Sequence, residues 1–147
     1  MKTKLLLTFF AGLLILSSCK KECDPCMTPP APFYFDIKDA ESGENIFTSG
    51  IASSDDLELI NTSTNESMDF DFIDDEDVNI LMINSIGWKT EIISAKLLLD
   101  GEEVFTLTVD AERNSGNCCS WTEYNDIEIS NADFTIDNIY GTYIVYY

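Results

Sequence analysis

From Phe33 to the C-terminus, apolar and polar residues alternate nearly one for one, and this period of two constrains the fold more than any other feature. In an extended strand successive side chains point to opposite faces, so such alternation builds one apolar face and one wet face. Phe33, Phe35 and Ile37 alternate with Tyr34, Asp36 and Lys38, and Leu57 and Leu59 flank Glu58. Met68, Phe70 and Phe72 alternate with Asp69 and Asp71, which reads as a half-buried strand. Val78 to Ile83 is apolar almost throughout, as for a central strand covered on both faces. Asp100-Gly101, between Leu97-Leu99 and Val104-Val109, spells a hairpin whose glycine takes positive φ. Phe105, Leu107 and Val109 then face the core, with Thr106 and Thr108 outward. Ile127 and Ile129, Phe134 and Ile136, and the run Tyr143 to Tyr147 supply further strands. One stretch competes: between Ser85 and Lys96, the residues Ile92, Ile93 and Lys96 fit one side of a short helix, although Gly87 opposes it. The expected fold is all-β, an antiparallel β-sandwich of about eight strands.

The first residues follow another pattern. Met1-Lys2-Thr3-Lys4 is basic, and Leu5 to Leu16 is apolar apart from Thr8 and Gly12. That run falls short of the roughly 20 residues a spanning helix needs, and its layout is that of a secretory signal. Leu16-Ser17-Ser18-Cys19 resembles the lipobox of bacterial lipoproteins. The resemblance implies cleavage before Cys19, lipid attached to it, and a bacterial envelope location, at the outer membrane on its periplasmic face or the cell surface. The chain then divides into a signal peptide at 1–18, a lipidated tether at 19–32 and a β-sandwich domain at 33–147. Pro29-Pro30-Ala31-Pro32 favours an extended conformation for the end of the tether.

Charge narrows the partners. The chain carries 27 acidic and 8 basic residues, and removing 1–18 takes away two lysines and no acid. So acidic a domain repels nucleic acid and anionic lipid, leaving the lipid itself as the membrane contact. The chain also has no histidine, and with it go the commonest general base and zinc ligand.

Phe35-Asp36-Ile37-Lys38-Asp39-Ala40-Glu41-Ser42-Gly43-Glu44-Asn45-Ile46 resembles the opening of transthyretin-like (prealbumin-like) sandwiches, in which a strand enters an Asp-x-x-Ser/Thr-Gly turn and returns. The mature chain is similar to small Bacteroidota envelope lipoproteins bearing such a domain. This resemblance implies fold and location and brings no catalytic residues.

Beyond Cys19, four cysteines remain: Cys23, Cys26, Cys118 and Cys119. Export favours disulfides, and three pairings stay open. A tether-to-loop link would pin the start of the domain; the alternative is a local 23–26 bond with free thiols at 118 and 119. Asp71, Asp74, Asp75 and Asp77 offer the oxygen ligands calcium prefers, without the offsets of an EF-hand. Trp121 and Tyr124 are candidates for stacking on a sugar or anchoring a partner. The sequence therefore reads as a non-catalytic envelope lipoprotein, a binding or accessory module for a protein complex or extracellular glycan, with no catalytic residues and no required cofactor. A calcium-stabilised adhesion module and a small carboxylate-dependent hydrolase are the alternatives.

Overall fold

The computed structural model describes residues 26–75, 78–116 and 119–147. Ten strands form in chain order: β1 (Cys26–Met27), β2 (Phe33–Lys38), β3 (Leu57–Asn61), β4 (Asp71–Asp75), β5 (Val78–Ile83), β6 (Glu91–Leu99), β7 (Glu102–Ser115), β8 (Cys119–Ser130), β9 (Asp133–Ile136) and β10 (Tyr143–Tyr146). A single 3-10 turn, Ser54–Asp56, precedes β3, and no α-helix occurs among the described residues. Five strands make one sheet, in the order β1-β8-β7-β6-β3; five make the other, β4-β5-β2-β10-β9. Pairing is antiparallel except β1 with β8 and β2 with β10.

The sheets close on each other because each presents the apolar half of its alternation. Phe33, Phe35 and Ile37 are buried from β2, and Leu97, Leu99, Phe105, Leu107 and Val109 are buried from β6 and β7. Phe35 lies at the centre. Its ring stacks 4.4 Å from Phe105 of the opposite sheet and 5.2 Å from Tyr143 of its own. The β6–β7 turn forms at Asp100-Gly101 as expected, both residues having positive φ (52° and 83°), the requirement of a two-residue turn matched to strand twist.

Three local expectations change. Residues of the competing helix are extended in β6, because Ala95, Leu97 and Leu99 bury one face there while β7 pairs along the strand. The helical spacing of Ile92, Ile93 and Lys96 is outweighed by that ladder, and Ile92 stands in solvent. The strand expected from Met68 begins only at Asp71; Met68 and Phe70 still pack against the core from irregular backbone. Strand β5 lies between β4 and β2, yet only Leu81 and Ile83 are fully buried and Val78 is exposed, so its outer face is not covered.

Because Phe35 joins both sheets, Phe35→Ala should cost about 3–5 kcal/mol, the usual range for emptying a fully buried aromatic site. Urea denaturation of the purified domain checks this; a loss below about 1 kcal/mol would mean that the two sheets do not depend on this ring.

Candidate functional site

The proline-rich segment before β2 does not stand away from the domain. Met27 pairs with Ser120 in β8, and the Thr28 amide donates to the Ser120 carbonyl at 3.0 Å. Pro30 is buried. The Tyr124 hydroxyl donates to the Ala31 carbonyl at 2.8 Å, and its ring lies 5.0 Å from that of Phe33. From Cys26 onward the expected tether is thus laid against one end of the sandwich.

Arg113 organises that end. It is the only arginine in the chain and sits near the end of β7. One guanidinium nitrogen donates to the Thr28 carbonyl and to the Thr122 hydroxyl, both at 2.8 Å; the other donates to the Ser120 hydroxyl at 3.0 Å. Its central carbon lies 5.8 Å from the ring centroid of Trp88, within range of a cation–π contact. Trp88 is held a second way, its indole N–H donating to the Asn84 carbonyl at 2.9 Å.

Gly87 makes this approach possible. It is buried with φ +90°, and a Cβ there would stand 3.0 Å from both Thr122 Cγ2 and the Tyr124 hydroxyl. The Thr122 hydroxyl donates to the Gly87 carbonyl at 2.7 Å, fastening the loop before β6 to β8.

Between the docked prolines and Trp88 runs a groove of about 620 Å³. Pro29, Pro30, Pro32, Met82 and Trp88 supply apolar walls, and Asp69, Asn84 and Ser85 supply polar groups. Half of the Trp88 surface remains accessible (50%). An immobilised aromatic surface flanked by an amide, a carboxylate and a hydroxyl is suited to a ligand with both apolar faces and hydroxyl groups. A second hollow, of about 610 Å³, lies beside Asp36, Asn45 and Asn79. Its polar groups are largely engaged with one another: Asn45 donates to Asp36 and to the Asn79 carbonyl, and Asn79 donates to Thr48. In the first groove the Asn84 amide likewise donates to Asp71 and the Ser85 hydroxyl to the Asp69 carbonyl, so the feature that separates the two is the accessible indole of Trp88.

The residues expected to form sites are dispersed. Tyr124 is committed to the docked segment, and burial pushes its hydroxyl above the ordinary tyrosine range, partly offset by Arg113. Trp121 points to the opposite face of β8 from Thr122, its N–H donating to Glu123 at 2.9 Å, so it does not line the groove. Along β4, alternation places Asp71 and Asp75 on one face and Asp74 on the other, and Asp71 accepts from Asn84. Asp77 lies outside the described residues. Among the described residues no group of three or more His, Cys, Asp or Glu is arranged to hold a metal. Cys19, Cys23 and Cys118 also lie outside them. Cys119 is disulfide-bonded, which removes the reading with a free thiol there, and the backbone of Cys26 lies opposite it in the β1–β8 register.

Sequence reasoning passed over Arg113 and, among the loop aromatics that could stack on a sugar or anchor a partner, singled out Trp121 and Tyr124 rather than Trp88. The available signal was the solitary arginine in so acidic a chain, since a guanidinium serves several acceptors at once where lysine offers a point charge.

No protein-family model, curated protein or solved structure matches the chain. The groove is therefore read from its own chemistry.

Two tests follow from this geometry. Gly87→Ala should destabilise the domain by about 1–3 kcal/mol, since left-handed backbone and a 3.0 Å approach both oppose a Cβ; an unchanged melting temperature would contradict it. The raised Tyr124 pKa gives an alkaline limit. Below the ordinary value of 10.0 the hydroxyl is neutral whether the chain is folded or not, and its contribution is complete. As pH rises from there through the higher folded value, the unfolded chain ionises first and that contribution is lost. Tyr143, raised by burial too, adds to the same decline. Tyr124→Phe should flatten the fall of stability above pH 10 in a denaturation series; an identical slope would contradict it.

Proposed function

We propose that this chain is a non-catalytic bacterial envelope lipoprotein, held at the membrane through lipid on Cys19, whose sandwich binds an extracellular glycan along the Trp88 groove. The observation that carries this reading is the fixing of Trp88. Hydrogen-bonded at its nitrogen and faced by Arg113, it keeps half its surface accessible beside Asn84, Asp69 and Ser85. The apolar face of a sugar ring can lie against an indole while flanking polar groups take its hydroxyls. Little ordering is then required on binding, because indole, arginine and prolines are already in place. The lipobox at Leu16 to Cys19 supports the envelope location, and the transthyretin-like turn at Asp39 to Gly43 accords with a small exported sandwich.

Screening the mature chain against a panel of bacterial and host polysaccharides tests the glycan reading. A polysaccharide should bind, and Trp88→Ala should weaken it at least tenfold while the melting temperature holds within a few degrees. Absence of any glycan ligand, or binding indifferent to Trp88→Ala, would overturn the assignment. Location is tested separately: Cys19→Ala should move the protein out of the outer-membrane fraction.

A further inference from the structure

Among the described residues, no strand pairs along most of the flank of the sandwich away from β3 and β4. Strand β8 pairs with β1 only at Cys119 and Ser120, and from Trp121 to Ser130 its outer edge meets no other strand among the described residues. The facing sheet ends at β9, whose outer edge is likewise unpaired. Side chains that should close this flank do not. Ile127 shares the inward face of Val109, its register partner, and Phe134 shares that of Val145; both partners are fully buried. Yet Ile127 is 38% exposed and Phe134 39%, with Ile136 behind them at 48%. Inward-pointing residues left this accessible show that the apolar interior is not covered between the two sheet edges.

Charge says what fits there. No lysine or arginine occurs after Arg113, whereas Glu123, Asp126, Glu128, Asp133 and Asp137 do. The outer face of the β7–β8 hairpin also sets like charges directly opposite each other, Asp110 against Asp126 and Glu112 against Glu123, an arrangement that costs stability. A second copy of this chain would bring the same acids to the same edge. The edge is thereby protected against self-pairing.

We propose that β8 receives an added strand from a partner protein: an extended segment in which apolar and basic residues alternate. Its backbone completes the open ladder along Trp121 to Ser130, following the bend of β8 at the Asn125 bulge. Its apolar side chains turn inward onto Ile127, Phe134 and Ile136, and its lysines or arginines turn outward onto Glu123, Asp126 and Glu128. Backbone bonds give such pairing its affinity, and the alternate side chains give it specificity. This surface is separate from the Trp88 groove, so the inference stands whether or not that groove binds glycan.

The test uses the mature chain and two synthetic decapeptides of equal composition, one alternating valine with lysine and one with five valines followed by five lysines. Affinity is measured alongside amide hydrogen exchange. The alternating peptide should bind more tightly than the block peptide and slow exchange within residues 121–130. Ile127→Thr should weaken it severalfold with the domain still folded, and Glu128→Lys should weaken it while leaving the domain folded. Equal binding of both peptides, protection elsewhere than β8, or no binding would overturn the proposal. So would a wild-type dimer whose β8 amides are already protected, because the edge would then be filled by a second copy.

Discussion

One guanidinium holds the working end of this protein together. Arg113 reaches the backbone ahead of the domain at Thr28, two hydroxyls of β8 and the face of Trp88. Hydrogen bonds from a charged donor are shorter and stronger than neutral ones, and the planar fork fixes several acceptors at once. Tyr124 makes a second tie among the same pieces, its hydroxyl reaching the Ala31 carbonyl beside Ile86 and Gly87. The groove exists because these three pieces of chain, distant in sequence, converge on Arg113 and Tyr124.

The core beneath this end was legible in the sequence because period-two alternation is local. Phe33 to Lys38 and Val104 to Val109 state their burial residue by residue, and Asp100-Gly101 states its turn. The central part of β8 states its burial less well, since only Ile129 there is buried and Ile127 remains accessible at the edge. The groove was not legible, because its parts are brought together by pairing that no local pattern records. Met27 opposite Ser120 is a parallel contact between residues nearly a hundred positions apart, and Pro29 to Pro32 read equally well as a free spacer. Trp121 and Tyr124 stood out by composition, yet alternation along β8 sends one to the outer face and the other inward to Ala31. The acids of β4 were scattered by the same rule.

Two surfaces result, with different chemistry. The end bearing Trp88 is cross-linked by hydrogen bonds and partly apolar. The flank along β8 and β9 is acidic at its rim and apolar inside. In our proposal the lipid confines the domain to the membrane, the first surface engages a glycan and the second engages a protein segment. Neither requires catalysis, and the sandwich serves as a stiff spacer between them.

The central claim is that the segment ahead of β2 is part of the folded domain and builds the groove. Native-state hydrogen exchange on the mature chain tests it most directly at the amide of Thr28, which donates to the Ser120 carbonyl. That amide should exchange orders of magnitude more slowly than in an unfolded peptide, and Arg113→Ala should release it while amides of β6 and β7 stay protected. Exchange of Thr28 at the rate of free chain in the wild-type protein would contradict the account, and the segment would be a spacer after all.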